Sequence, residues 1–382
     1  MRSSDVPPNR LYVGTHRRAL RADPADTAFG IYGFEQSGSS YQPIGITATP
    51  QPGWIAAHPK GGLLYAVNEV RDLDGHPGGG VSAFAIDAAS GALTALNTQP
   101  TPPMPCHCEV DQTGRFLLVA TFGGGSVHLF PIEDDGRIGP ECDAHHHSGS
   151  SIHPRRQTEP HAHAVSIDPG NRFVLVPDLG TDRLMVYELD QARSCLIARD
   201  DRTIALPPGS GPRHIAFGDA GRVVYLVNEM SATVTVFAFD GKTAELRLLQ
   251  TADLLPDGFG GLRSGAAIAV HPSGAHLYAT TRSHGSSELP EKPGLNLLIW
   301  FAIDPRDGTL QLSGSVLSGG EIPRSFAFDA SGEELFVGHQ GSGTLVTFQI
   351  DPTTGTPVPQ PNPLLTPVPV CLTFVPGSAA ER

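Results

Sequence analysis

Residues 160–169 read Pro160-His161-Ala162-His163-Ala164-Val165-Ser166-Ile167-Asp168-Pro169, and the second half of that stretch decides the fold. Val165-Ser166-Ile167-Asp168 is a short alternating strand; the turn Pro169-Gly170-Asn171 and a hydrophobic strand over 173–176 follow it. The unit recurs from Ile55, Cys108, Ile215, Ile268 and Phe326, each time with a glycine-bearing turn such as Gln112-Thr113-Gly114 or Pro272-Ser273-Gly274. Third strands are expected over 81–86, 126–131, 184–189, 234–239, 297–303 and 344–350. The period, roughly 46 to 58 residues, is that of four-stranded propeller blades.

The chain ends supply the seventh copy. Val370-Cys371-Leu372-Thr373-Phe374-Val375 is a first strand with a turn at Pro376-Gly377, whereas Leu11-Tyr12-Val13-Gly14 and Gly30-Ile31-Tyr32-Gly33-Phe34 are second and third strands lacking a first. Pairing them closes the ring and hides both sheet edges. The expectation is an all-β, seven-bladed β-propeller with four-stranded antiparallel blades, sealed by the C-terminal strand. It spans 1–382 as a single domain, with 1–10 a flexible N-terminus and 377–382 a tail.

Composition fits that reading and removes other classes. Gly 44 and Pro 35 suit many short strands joined by turns. A net charge of −13 argues against a nucleic-acid partner, although a local arginine cluster can still hold a small anion. No apolar run reaches the ~18 residues of a membrane span, and Met1 to Arg10 lacks the apolar core of a signal peptide. Cysteines 106, 108, 142, 195 and 371 are odd in number and scattered, so no disulfide framework is expected. A cytoplasmic protein, monomeric or weakly homo-oligomeric, with no membrane partner, follows.

Residues just before each first strand and just after each second strand share one rim of the central channel. That rim receives His161, His163, Arg213, His214 and Arg324 from first strands, and Asn228, Glu229, Arg282, His284, Asn68 and Glu69 from second strands. Trp54, Cys106 and His107 join them. A funnel of arginines, histidines and a few carboxylates is the expected binding site.

The motifs Arg156-Gln157, Pro160-His161-Ala162-His163, Asp178-Leu179-Gly180-Thr181-Asp182-Arg183, Gly211-Pro212-Arg213-His214, Val227-Asn228-Glu229-Met230, His276-Leu277-Tyr278-Ala279 with Arg282, and Pro323-Arg324-Ser325-Phe326 come in this order. In that order and at these blade positions the chain resembles the seven-bladed lactonases of the bacterial 6-phosphogluconolactonase type. That family also contains fungal 3-carboxy-cis,cis-muconate lactonising enzymes. The resemblance implies His163, Arg213, Glu229 and Arg282 as the catalytic set, with Arg324 as an anion clamp. His161, His214 and Asn228 are the further substrate-binding candidates from the rim. Two departures overhang the same rim: an insertion over 283–294, and an extended loop carrying His145-His146-His147.

Lactone hydrolysis needs a base for water and donors for the oxyanion; His163 or Glu229 can be the first and a guanidinium the second. The expected activity is therefore a cofactor-independent, metal-free lactonase acting on a small acidic or phosphorylated sugar lactone such as 6-phosphogluconolactone. The alternatives are a muconate-type cycloisomerase on a carboxylate substrate, or a non-catalytic propeller scaffold, which should show an aromatic rim. His145-His146-His147 is read as a solvated loop and not a metal site, and Cys106-His107-Cys108 as packing. Gly123-Gly124-Gly125 is read as a turn, and Glu69 as a relic of the repeat.

Overall fold

The second strand of each blade is buried on both faces, and that sets the architecture. In Leu63–Asn68, Tyr65 and Val67 face Cys108, Leu117 and Val119, while Leu64 and Ala66 face Tyr12, Ile31 and Cys371. The same alternation in the other copies makes seven hydrophobic clusters, one between each pair of neighbouring sheets. A sheet apolar on both faces must be sandwiched, and a closed ring of sheets does this for every member.

The computed structural model describes residues 9–16, 29–38, 40–283 and 294–375. Most of the 283–294 insertion with His284, the expected flexible N-terminus up to residue 8, and residues 376–382 with the Pro376-Gly377 turn lie outside the described residues. The described residues form seven four-stranded antiparallel blades, two of them with a short fifth strand. Blade one is made of Pro369–Val375, Arg10–Thr15, Gly30–Ser37 and Ser40–Ala48, so the expected seam is present, with Gly14 opposite Cys371 and Leu11 opposite Phe374.

A repeated phenol bolts blades together. Tyr12, Tyr65 and Tyr225 donate to the carbonyls of Gly91, Gly136 and Gly308 in the next blade at 2.8, 3.0 and 2.8 Å, and Tyr278 does the same to Gly355. Burial pushes these hydroxyls upward, Tyr12 to about 12, so they stay donors at any working pH.

The innermost strands open irregularly, and this builds the rim. Gln51, Met104, Ile322 and Val368 take positive φ (42°, 56°, 59° and 39°) immediately before a proline. Left-handed backbone is a strained conformation for a β-branched residue, and such strain gathers beside functional sites. One or two residues later the ladder slips: Gly53, Cys106, Arg213 and Arg324 lie in β-bulges between Pro52/Trp54, Pro105/His107, Pro212/His214 and Pro323/Ser325. A bulge turns one side chain out of the alternation, and here it delivers Arg213 and Arg324 to the channel.

One layer deeper, the residues opposite the third position of each second strand are Ala56, Ser166, Ala216, Ala269, Ala327 and Thr373 in six blades, and Glu109 in blade three. Burial among the inner strands pushes the Glu109 carboxyl up to about 8, against a weak contact from the Ile167 amide. A carboxyl raised in the fold leaves stability intact below its unfolded value of 4.5 and erodes it as the pH climbs to about 8. Glu109→Gln is therefore expected to raise the thermal midpoint by an amount that grows between pH 5 and pH 8. A difference that stays constant across that range in paired melts would count against this account.

Candidate active site

Three second-strand ends deliver charge to the same rim. The backbone N–H of Glu229, Glu69 and Arg282 donates to the carbonyls of Gly211, Gln51 and Ser264 at 2.6, 2.9 and 2.9 Å, which fixes where each side chain leaves the sheet. Blade four differs from the rest. Its innermost strand is only Ser166–Ile167, and the segment ahead of it meets the second strand at an isolated bridge, Ala162 to Asp178. There the amide of His161 is held by Asp178 Oδ1 at 2.9 Å and the amide of His163 by the Pro177 carbonyl at 2.9 Å.

The centre of the site is the Glu229 carboxylate. Oε1 accepts from Arg156 Nη2 at 2.7 Å, and Oε2 accepts from Arg282 Nη2 at 2.7 Å. Arg213 Nε lies 3.2 Å and His163 Nε2 3.8 Å from the same Oε2. Arg213 is itself locked, with Nη1 donating to the Ala266 carbonyl at 2.5 Å and to His214 Nδ1 at 3.1 Å. The other three expected catalytic residues thus meet round the Glu229 carboxylate, and Arg156, named above only within a motif, joins them.

The charge states follow from that packing. Burial alone would raise the Glu229 carboxyl, but the Arg282, Arg156 and Arg213 guanidiniums outweigh it and hold it well below the usual range. Burial and the Arg213 cation press His163 and His214 well below 6.5 and His107 to about 3, so all three rings are neutral at pH 7. Among the described residues, His163 Nδ1 and Arg282 Nη1 are buried with no hydrogen-bond partner. An unmade bond on a buried polar atom costs about 1–3 kcal/mol, and groups left this way beside a funnel suit a ligand.

The neutral rings form a platform. Trp54 stacks on His107 at 4.2 Å, and His214 meets Trp54, His107 and His163 edge-on at 5.1, 5.4 and 5.3 Å. His161 lies flat on Phe122 at 4.2 Å, with Nδ1 2.8 Å from the Phe122 carbonyl. Opposite, Arg324 Nη2 is 3.4 Å and His16 Nε2 3.3 Å from Glu69 Oε2. Glu69, read above as a relic of the repeat, thus sits in the funnel beside Arg324; His16 is a neighbour that nothing in the strand pattern flagged.

Two expectations change. Asn228 does not face the funnel: its amide nitrogen donates to Thr233 and Thr235 at 3.0 and 2.9 Å, tying the second strand to the third within blade five. Asn68 does the equivalent work in blade two through Thr49 and Ser82. His145-His146-His147 is not a solvated loop either, because Asp143–His146 is the fourth strand of blade three. His145 reaches the Leu196 carbonyl at 2.9 Å, and His147 is buried against Asp178 with Nδ1 2.5 Å from Oδ2. His147 thus steadies the carboxylate that holds the His161 backbone.

A second relay-like chain lies elsewhere in blade three: Ser126 Oγ is 2.8 Å from His128 Nε2, whose Nδ1 is 2.6 Å from Glu141 Oε2. Ser126 is fully buried, so no substrate carbonyl reaches it. Burial pushes the Cys106 thiol up, which keeps it from acting as a thiolate. Among the described residues no three His, Cys, Asp or Glu side chains converge as a metal-ligand set.

Comparison with known proteins agrees with this fold. A family model described as "Lactonase, 7-bladed beta-propeller" matches residues 10–374. The 6-phosphogluconolactonase of Bacillus subtilis is 31% identical over 368 residues, covering 95% of this chain and 97% of that protein. That of Formosa agariphila is 30% identical, covering 85% and 90% respectively. The solved periplasmic gluconolactonase of Pseudomonas aeruginosa superposes with a TM-score of 0.87 at 31% identity, covering 97% of this chain and 100% of that one.

Proposed function

The chain belongs to the seven-bladed β-propeller lactonase family, and from that premise we propose that it hydrolyses a small acidic or phosphorylated sugar lactone, with 6-phosphogluconolactone as the representative substrate. The observation that carries the proposal is the pairing of a neutral, buried His163 with a Glu229 carboxylate already occupied by Arg156 and Arg282. A base must be unprotonated and have a free lone pair. Glu229 is unprotonated but engaged by cations on both oxygens, whereas His163 has a buried nitrogen without a partner.

In this mechanism His163 takes a proton from water as the water oxygen bonds to the lactone carbonyl carbon. The carbonyl π electrons move onto oxygen, and the oxyanion is met by guanidinium N–H groups, Arg282 Nη1 foremost. Glu229 holds those guanidiniums and favours the imidazolium as it forms, since its charge is the one that raises the His163 proton affinity. Collapse of the tetrahedral intermediate breaks the bond to the ring oxygen, which takes the proton back from His163, and the open-chain hydroxy acid leaves.

The funnel also selects for charge. Among the described residues Arg156, Arg213, Arg282 and Arg324 face Glu69 and Glu229, four guanidiniums against two carboxylates with His107, His163 and His214 neutral, an excess of two positive charges inside a protein of net −13. Such local positive potential gathers anionic substrates. The cytoplasmic setting expected above belongs to the same proposal; among the described residues no helix is long and apolar enough to cross a membrane.

The deciding experiment is turnover of 6-phosphogluconolactone by the purified protein, with spontaneous ring opening subtracted, followed over a range of salt. Turnover well above background, with a KM that rises as salt screens the funnel, is the expected result. A wild type no faster than background would remove this substrate class and bring the carboxylated muconates forward.

A further inference from the structure

Glu69 and Glu229 are the same position in two blades, yet they are compensated differently. Each follows an asparagine at the end of a second strand and is anchored by its amide to the carbonyl ahead of the innermost strand. Their side chains are similarly hidden, at 10% and 6% exposure. Blade five supplies its own cation at the bulge, Arg213, while at the matching bulge blade two has Gly53. A Cβ at residue 53 would fall inside contact distance of Glu69 Oε2, so the missing side chain is the room the carboxylate uses.

The groups that do reach Glu69 are loose. Arg324 at 3.4 Å and His16 at 3.3 Å both address Oε2, and both exceed the ~2.7–2.9 Å of a charge-assisted hydrogen bond. Burial would raise the Glu69 carboxyl, but Arg324 and His16 hold it below its ordinary value, so it is an ionised acceptor. Trp54, the residue after Gly53, stacks its ring on His107. An ionised carboxylate with spare lone pairs, a neighbouring guanidinium and an aromatic face are the groups that recognise a polyol. The carboxylate accepts adjacent hydroxyls, the arginine donates to them, and the ring covers the C–H face. The same carboxylate repels a phosphate or carboxylate, which directs the anionic group of a substrate to the Arg156 side.

We propose that Glu69, with Arg324, is a hydroxyl-recognising subsite that accepts a vicinal diol of the lactone and makes the enzyme prefer polyhydroxylated lactones to bare ones. The inference rests on the lactonase reading above. Its test compares kcat/KM for D-glucono-δ-lactone and for δ-valerolactone, which has the ring ester but no hydroxyls, in wild type, Glu69→Gln and Gly53→Ala. The last variant moves the carboxylate without removing it, and so covers the case in which Glu69→Gln does not fold.

The expected result is a wild-type ratio favouring the gluconolactone, lowered on the order of tenfold in either folded variant, the cost of about one good hydrogen bond. A ratio unchanged in a folded variant, with both activities falling in parallel or neither falling, overturns the subsite and leaves the lactonase reading standing. A wild type that opens neither of these lactones but opens 6-phosphogluconolactone overturns the subsite alone, and one that opens none of the three overturns both.

Discussion

His163→Ala is expected to lower kcat by roughly 10²–10⁴-fold, the usual worth of a positioned general base, while leaving the fold intact. The ring makes few bonds that the fold needs: its Nδ1 has no partner among the described residues, and its Nε2 sits 3.8 Å from Glu229. The pH profile carries the sharper part of the prediction. Because burial and Arg213 hold His163 well below 6.5, the neutral form persists as the pH falls through the range where an exposed histidine would become protonated. Wild-type kcat/KM is therefore expected to be flat between about pH 6 and pH 8. A falling limb with a midpoint near 6.5, or a His163→Ala enzyme with wild-type kcat, would remove His163 from the base role.

Glu229→Gln is expected to cost both activity and stability. Removing one partner of a buried ionic group typically costs about 3–5 kcal/mol, and here the carboxylate lost is shared by Arg156, Arg213 and Arg282. A glutamine can accept from one arginine but cannot offset the positive charge of three. The sign of the pH dependence follows from the shifts. Glu229, depressed in the fold, contributes stability that is present above its unfolded value of 4.5 and is lost as the pH falls through its folded value. His107, His163 and His214, also depressed, begin to destabilise the fold once the unfolded chain protonates below 6.5. The Glu229 and histidine contributions to the unfolding free energy should thus be level above pH 7 and decline on acidification, opposite in sign to that of Glu109, with the carboxylate part of that decline missing from Glu229→Gln. If the variant is inactive yet as stable as wild type in urea unfolding, Glu229 is a proton carrier and not a counter-ion.

The blades are easy to read in the chain because each must bury two faces. Phe173 to Val176 or Leu117 to Ala120 cannot be anything but sandwiched, and the spacing of such strands counts the blades. The outermost strands escape that logic. Ser40–Ala48 and Glu245–Asp253 each bury a single residue, so their polar surfaces carry no alternation strong enough to mark them. The catalytic cluster is legible for a related reason: strand ends predict which side chains share a rim, and Arg213, Glu229, Arg282 and Arg324 all leave the sheets there. Strand ends do not predict pairing. Val-Asn-Glu reads the same at Glu69 and Glu229, and the difference between a saturated carboxylate and a loose one lies in a bulge residue, Gly53 or Arg213, on another strand. Asn228 and His147 were misplaced because direction, not position, decides their partners: one turns inward to its own blade, and the other crosses to the next.

The seam in blade one has a consequence for how the molecule comes into being. Among the described strands its innermost one, Pro369–Val375, is the last to be made, while its partner Arg10–Thr15 is the first. Arg324 and Glu69, whose ion pair crosses from blade seven to blade two, face each other only once that wedge is in place between their blades. The Glu229 cluster, drawn from residues 156 to 282, can assemble while synthesis is still under way. One half of the funnel can thus form early and the other half only after the last of these strands, so a nascent chain holds its arginine cage before Arg324 and Glu69 meet.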